Sequence, residues 1–146
     1  MRKGFWLILL LVGGLILYFE PFRGAPPEPD VSVNGSKIDV TSGSSCWRSL
    51  LNSKCVDLSY STPLDMTANQ TPVVVTPGEK IEIVFNDGPT PERIKTEQWQ
   101  KDGTNKTIQL KKEQFTAPNK KGLYIYHVYG WWKQGDGNVA FPVRVK

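Results

Sequence analysis

The sequence predicts an all-β protein, with an antiparallel β-sandwich head behind one N-terminal transmembrane helix and a proline-rich stalk. Three observations predict this architecture. Residues Phe5–Phe19 form the one long apolar run, a proline-rich segment follows it, and the rest alternates between apolar and polar residues. Turn signals interrupt that alternation roughly every 8–12 residues, which is typical of a sandwich. We expect a signal anchor over 1–22, a linker over 23–30 and a sandwich domain over 31–146.

The N-terminal run has the charge pattern of a membrane anchor. Its fifteen residues contain no charge, Arg2 and Lys3 precede it, and Glu20 follows it. A span needs about 20 apolar residues, but a snorkelling lysine and interfacial aromatic side chains lengthen a short one. The flanking charges predict a single-pass cell-membrane protein with a cytoplasmic N-terminus and an extracellular C-terminal domain. A cleaved signal peptide is the alternative, with Arg23-Gly24-Ala25 as the nearest small-residue site.

The segment after the anchor is rich in proline. Four prolines fall between Glu20 and Asp30. Proline fixes φ and favours an extended polyproline II chain of about 3.1 Å per residue. We therefore expect a semi-rigid stalk that lifts the head clear of the lipid headgroups.

The head divides into short strands joined by recognisable turns. Asn34-Gly35 predicts a hairpin with a primed turn, since both residues tolerate positive φ. Further strands are predicted around Ile81–Phe85, Arg93–Trp99, 107–110, 123–129 and 139–145, with turns at Pro77-Gly78 and Asp102-Gly103. Pro142 suggests that the last strand lies at a sheet edge, because proline cannot donate to a ladder. Cys46–Leu51 is expected to hold one short helical turn at most.

The last third of the chain resembles an immunoglobulin-type domain. Gly122-Leu-Tyr-Ile-Tyr126 is similar to an F strand, and the hairpin through Gly135-Asp-Gly137 resembles an F–G hairpin. This resemblance implies that Tyr124 is a corner tyrosine bonded to backbone, and that Tyr126 replaces the F-strand cysteine. It also implies that Trp99 is the buried tryptophan of strand C. The whole chain resembles small membrane-anchored Ig-like proteins found outside the membrane of Gram-positive bacteria, many without an assigned activity.

The chain has two cysteines, Cys46 and Cys55. An oxidising compartment outside the cell favours a local disulfide between them. Closing a loop of about ten residues stabilises the fold by roughly 2.5–3 kcal/mol in the chain-entropy model. A zinc site would need His127, the one histidine, with these cysteines and a carboxylate. We expect no metal and no cofactor.

No catalytic pattern stands out in the sequence. It contains no G-x-S-x-G nucleophile elbow, and its acidic residues are scattered. A Ser–His–Asp triad would have to use His127, whose alternation with Ile125 and Tyr129 favours an ordinary strand histidine. We expect no enzyme and no catalytic residue. The net charge of +4 lies wholly in residues 31–146 but is mixed along the chain, so no nucleic-acid partner is expected.

Four residues near the end of a predicted strand form the candidate binding surface: Tyr129, Trp131, Trp132 and Lys133. Neighbouring strand residues face opposite sides, so one tryptophan can enter the core while the other stays outside. An outward tryptophan can stack on a sugar or pack on a partner. By register with Tyr129, we expect Trp132 to be the exposed one, beside Lys133.

These features favour a membrane-tethered, non-enzymatic module with a monomeric head that binds a protein or polymer of the cell envelope. An exposed aromatic patch would support this function. An accessory subunit of a membrane complex is the alternative, and an evenly charged, bare head would favour it. An extracytoplasmic hydrolase is a third possibility, for which His127 would need a serine and a carboxylate within hydrogen-bond reach.

Overall fold

A computed structural model describes residues 2–19 and 22–146, with side chains described for 4–16 and 22–146. Met1, Glu20 and Pro21, together with the side chains of residues 2–3 and 17–19, lie outside the described residues, and so do the predictions that rest on them. The elements in chain order are α1 (Arg2–Phe19), β1 (Asp30–Val33), β2 (Ser36–Ile38), β3 (Thr41–Ser42), β4 (Ser45–Arg48), β5 (Ser53–Val56), α2 (Pro63–Met66), β6 (Val73–Val75), β7 (Lys80–Val84), β8 (Arg93–Gln100), β9 (Asn105–Ile108), β10 (Gln114–Thr116), β11 (Gly122–Trp132) and β12 (Gly135–Val145).

The strands form two sheets. The four-stranded sheet has the order β10-β7-β1-β2, and the eight-stranded sheet has the order β5-β4-β12-β11-β8-β9 with β3 and β6 also paired to β12. Among the described strands, the β6–β12 pair is parallel and the others are antiparallel. The prediction of a mainly antiparallel, two-sheet β fold is confirmed.

The first hairpin forms as its turn residues predict. Asn34 and Gly35 have φ of 49° and 75°, which is the backbone of a primed two-residue turn. Val31 therefore lies opposite Ile38, and both side chains face the interior. Pro77-Gly78 also turns as predicted, with Gly78 at φ 73°.

The core lies between the two sheets. It is built from apolar side chains that alternate along each strand: Val31, Val33, Ile38, Val75, Ile81, Ile83, Phe115, Ala117, Tyr124, Tyr126, Val128, Val139, Phe141, Val143 and Val145. Tyr126 is fully buried at its centre, with ring centroids 4.6 Å from Phe115 and 5.4 Å from Phe141. The predicted alternation of apolar residues thus builds one continuous core.

Strands β11 and β12 form a hairpin of eleven residues on each side. Its register runs without interruption from Gly122 opposite Val145 to Trp132 opposite Gly135. Because successive side chains alternate, even-numbered residues of β11 face the core and odd-numbered residues face outward. This parity decides where each candidate residue lies.

Pro142 does not mark a sheet edge. Strand β12 is central, with β11 on one side and β4, β3 and β6 in succession on the other. Pro142 lies opposite Ile125, between the segments paired to β3 and to β6. The proline is tolerated there because that side of the strand is covered piecewise, and Pro142 falls at a gap.

The short helix of the head lies outside Cys46–Leu51, the segment expected to hold one helical turn at most. Cys46–Leu51 is extended where it forms β4, whereas α2 begins at Pro63. Thr62 caps α2, because its side chain accepts a hydrogen bond from the Asp65 backbone at 3.3 Å. A threonine cap followed by proline at the first helical position is a recognisable start signal that the sequence carried.

Trp99 lies on the outer face of the eight-stranded sheet, so the resemblance to a buried strand-C tryptophan is wrong. The neighbouring residues Thr96 and Gln98 face the core instead. Trp99 packs in a second apolar cluster with Ile125 and with Met66 of α2. Helix α2 thereby covers one end of this outer face.

Part of the predicted stalk packs on the head. Pro27 and Pro29 are buried, and residues 25–29 line a groove that also includes Phe85 and Trp132. Arg23 forms an ion pair with Asp87 at 3.0 Å. Residues 26–29 therefore belong to the head and do not stand clear of it.

Helix α1 carries exposed apolar side chains from Phe5 to Ile16. None of the helices in the described residues meets the length and hydropathy requirements for crossing a membrane.

Candidate functional site

The candidate site occupies the outer face of the eight-stranded sheet, at the end that α2 leaves open. Odd-numbered residues of β11 point outward here, and the register gives their neighbours on the adjoining strands. Trp131 lies between Arg93 of β8 and Asp136 of β12, and Tyr129 lies between Lys95 and Asn138. We call this surface the aromatic face; it comprises Arg93, Lys95, His127, Tyr129, Trp131, Asp136 and Asn138.

Trp131 is the centre of the aromatic face. Its ring is stacked with that of Tyr129, with centroids 5.7 Å apart and an interplanar angle of 13°. The guanidinium carbon of Arg93 lies 3.9 Å from the Trp131 ring centroid. A cation over an exposed aromatic ring contributes about 0.5–1 kcal/mol and holds the ring in place. The two aromatic side chains are half-buried and pre-positioned, which limits the entropy that a ligand contact would cost.

Tyr129 is held from two further sides. Its ring centroid lies 4.1 Å from that of His127, and the ammonium nitrogen of Lys95 lies 5.7 Å from it. Burial and the nearby Glu97 carboxylate raise the pKa of Tyr129. The phenol is therefore neutral at physiological pH and can act as a hydrogen-bond donor.

Glu97 organises the polar border of the aromatic face. Lys95 approaches its carboxylate at 2.6 Å, and the indole Nε1 of Trp99 donates to it at 3.0 Å. Burial raises the pKa of Glu97, but these hydrogen bonds and the Lys95 charge outweigh burial, so the pKa is lowered on balance. Glu97 is thus ionised and fixes Lys95 beside Tyr129.

His127 is committed to a hydrogen-bond chain across the sheet. Its Nε2 donates to Asn138 Oδ1 at 2.8 Å, and Asn138 Nδ2 donates to the carbonyl oxygen of Ser44 at 2.8 Å. Its Nδ1 is buried, and no partner is found for it within the described part of the chain. Burial lowers the pKa of His127, against opposing effects of Asn138 and Glu97. The neutral ring is an orienting element for Asn138 and Tyr129.

Trp132 points the opposite way from Trp131, so the expectation that Trp132 would be exposed is wrong. It is 7 % exposed, and its ring meets those of Trp47 and Phe85 edge-to-face at 5.6 and 5.5 Å. Tyr129 and Trp132 are three residues apart, and an odd separation in an unbulged strand places them on opposite faces. Gly130 makes room for Trp132, because a Cβ at Gly130 would collide with its indole ring.

Lys133 does not join the aromatic face. It lies in the turn after β11, is well exposed, and approaches Glu92 at 3.9 Å. Of the four residues predicted from the sequence, Tyr129 and Trp131 are brought together, whereas Trp132 and Lys133 are not.

The predicted disulfide between Cys46 and Cys55 is confirmed. The two cysteines are cross-strand partners in β4 and β5, and Cys46 lies opposite Asp136 of β12. The disulfide thus borders the aromatic face.

A groove of about 290 Å³ lies beside the disulfide. It is lined by Ser44, Ser45, Cys46, Cys55, Val56, Asp57, Tyr129, Trp131, Asp136, Gly137 and Asn138. No cluster of three or more potential metal ligands occurs among the described residues.

Sequence reasoning missed the contributions of Arg93, Lys95 and Asn138. They come from strands that flank β11, and only the register brings them beside the aromatic rings. The sequence carries one signal for two of them. Arg93 and Lys95 alternate along β8 with residues such as Thr96, which is buried, so they face the other side of the sheet.

Searches against models of protein families, curated protein sequences and solved structures find no match to this chain.

Proposed function

We propose that this protein is a membrane-tethered, non-enzymatic binding module outside the cell, and that its aromatic face binds a polysaccharide of the cell envelope. The supporting observation is the pair of nearly parallel rings of Tyr129 and Trp131 on an open sheet face. A sugar ring has an apolar C–H face, which an aromatic ring can cover. Its hydroxyls need hydrogen-bond partners around that contact.

The surroundings of the rings supply those partners. Arg93 and Lys95 offer donors on one side, and Asp136 offers acceptors on the other. Serine hydroxyls and the Asp57 carboxylate line the adjoining groove. A mostly apolar contact with a few placed polar groups is the usual composition of a small-molecule or sugar site.

The tether is helix α1, retained as an uncleaved signal anchor with a cytoplasmic N-terminus. The uncharged run Phe5–Phe19 behind Arg2 and Lys3 supports this orientation. The head belongs to the immunoglobulin-like class of sandwich. Support comes from Tyr124, whose hydroxyl donates to the Lys120 carbonyl oxygen at 2.8 Å, as the resemblance to a corner tyrosine implies.

Two measurements test the proposal. The full chain should stay with membranes through carbonate washing, and external protease should reach the head; a soluble form beginning near residues 24–27 would contradict the tether. In detergent, the purified chain should bind purified cell-wall polysaccharide. Trp131→Ala should weaken that binding about tenfold, corresponding to roughly 1.4 kcal/mol.

A matched control is Val74→Ala, which removes an exposed apolar side chain from the same sheet. Val74 lies opposite Arg144, at the far end of β12, so its loss should leave binding unchanged. Equal binding by the wild-type chain and by Trp131→Ala, with both folded, would contradict the assignment of the aromatic face.

A further inference from the structure

The hairpin formed by β4 and β5 ends in two exposed leucines. Leu50 is 70 % exposed and Leu51 is 80 % exposed. They are the central residues of a turn in which Ser49 and Asn52 are joined by a backbone hydrogen bond of 2.7 Å. Such positions are normally filled by glycine, proline or short polar residues. The turn does not require leucine, and the leucines do not reach the core.

This tip, residues 48–54, is cationic, and a disulfide joins the two strands that carry it. Segment 48–54 carries Arg48 and Lys54, both exposed, and has no acidic residue. The Cys46–Cys55 disulfide joins the two strands behind the turn, and Trp47 is buried at their base with 4 % exposure. The leucines are therefore presented at a fixed place with positive charge on both flanks.

The topology puts the tip at the end of the head where the chain enters. Strands β4 and β11 both run antiparallel to β12, so they end on the same side. The Arg48 backbone donates to the Gln134 carbonyl oxygen at 2.8 Å, which joins the tip to the β11–β12 turn. Strand β7 ends on this side, because Pro89 in the loop after it accepts a hydrogen bond from Trp132 at the end of β11. Strand β1 begins here too, since Asp30 lies opposite Val84, the last residue of β7.

The distance along the chain from helix to head is short. Helix α1 ends at Phe19, and Arg23 is already paired with Asp87 of the head. Four residues extend by at most about 14 Å. If α1 spans the membrane, the end of the head that carries Asp87 and the tip lies close to the lipid headgroups.

We infer that Leu50 and Leu51 insert into the interface of the same membrane that α1 spans, while Arg48 and Lys54 contact lipid phosphates. The inference rests on the proposed tether. Apolar side chains flanked by cations favour the boundary between headgroups and acyl chains. The tip then acts as a second contact that fixes the orientation of the head, and with it the direction in which the aromatic face points.

The test uses the full chain reconstituted into vesicles of phosphatidylcholine and phosphatidylglycerol. An environment-sensitive fluorophore is attached through Leu51→Cys, under non-reducing conditions that keep Cys46 and Cys55 bonded. The matched control is Lys101→Cys, an exposed residue in the turn after β8, at the opposite end of the sheet. Quenchers carried on the lipid acyl chains should quench the label at position 51 several-fold more than the label at position 101. Flotation of the vesicles is measured on the same samples.

Each outcome decides between the two proposals. A chain that fails to float with the vesicles overturns the tether and the insertion together. A chain that floats, but whose label at position 51 is quenched no more than that at 101, overturns the insertion alone. A third outcome is a label at position 51 that becomes more shielded from water as the protein-to-lipid ratio rises, without quenching by the lipid quenchers. It would show that the tip contacts a second copy of the chain, and it would also overturn the insertion. The label at position 51 is also measured in a chain that carries Arg48→Gln and Lys54→Gln. Stronger lipid quenching with the native Arg48 and Lys54 than with the two glutamines supports the phosphate contact.

Discussion

The indole Nε1 of Trp132 donates a hydrogen bond to the carbonyl oxygen of Pro89 at 2.7 Å. This contact ties the end of β11 to the loop between β7 and β8, across the gap between the two sheets. It also satisfies the one polar atom of a side chain that is otherwise enclosed by Trp47 and Phe85. Trp132 is thus a structural residue, whereas its neighbour Trp131 is available for contact.

We expect Trp132→Ala to lower the free energy of unfolding by about 3–5 kcal/mol, because a large buried aromatic is truncated. Trp132→Phe should lower the free energy of unfolding by less than Trp132→Ala does. The loss should still exceed the roughly 1 kcal/mol of the lost hydrogen bond, since the Pro89 carbonyl is left without its partner. Denaturant unfolding of each variant measures both values.

Trp131→Ala is the matched control, because it removes the same side chain from the opposite face. We expect a loss of about 1 kcal/mol, comparable to its cation–π contact with Arg93. Equal destabilisation by Trp131→Ala and Trp132→Ala would contradict the assignment of opposite faces.

Tyr124 provides a second test of the fold. Tyr124→Phe removes the hydroxyl that donates to the Lys120 carbonyl oxygen, and we expect a loss of about 0.5–1.5 kcal/mol in the free energy of unfolding. Because the acceptor is backbone, Lys120→Ala should have almost no effect. A silent Tyr124→Phe variant would show that the corner contact does not stabilise the head.

The disulfide should be accessible to direct measurement. Replacing both Cys46 and Cys55 by serine should lower the free energy of unfolding by roughly 2.5–3 kcal/mol, as expected for a loop of about ten residues. The fold should persist, because Trp47 and the β4–β12 pairing remain. Intact mass should rise by about two hydrogens on reduction of the wild-type chain; thiol labelling without reductant would contradict the bond.

Local signals in the sequence were enough to predict several turns and the strands β1, β2, β7, β8, β9, β11 and β12. The short strands β3, β4, β5, β6 and β10 were not predicted. Asn34-Gly35 specifies its hairpin because few other residue pairs accept two positive φ angles. The strands predicted around 123–129 and 139–145 pair as the β11–β12 hairpin, but its turn lies at residues 133–134 and Gly135–Gly137 belongs to β12. These features depend on neighbouring residues, so the sequence alone carries them.

Features that depend on long-range register were beyond the sequence. The direction of Trp99 is set by the pairing of β8 with β11 and by the cover that α2 provides. Pro142 lies in a central strand because two short, distant segments pair around it. The sequence placed Tyr129 and Trp131 among the candidate residues but expected Trp132 to be the exposed tryptophan. Arg93 and Asp136 reach Trp131 only through the sheet.

His127 makes stability depend on pH in a defined direction. Burial holds its pKa below the ordinary value of 6.5, so the unfolded chain binds more protons than the folded one as pH falls through 6.5. Stability therefore rises with pH in this range and is lost on acidification, until pH falls below the folded pKa. Glu97 has a pKa lowered from 4.5, and its contribution is lost only at more acidic pH.

We therefore expect the free energy of unfolding to fall between about pH 7.5 and about pH 5.5, with a slope of at most roughly 1.4 kcal/mol per pH unit for one proton. His127→Gln should flatten the dependence in that window, because glutamine does not titrate. The loss of stability in His127→Gln at pH 7.5, where proton binding contributes little, measures the packing of His127 on Tyr129 and its hydrogen bond to Asn138. Urea unfolding across this range supplies the comparison, and parallel pH profiles for wild-type and His127→Gln would show that another group is responsible.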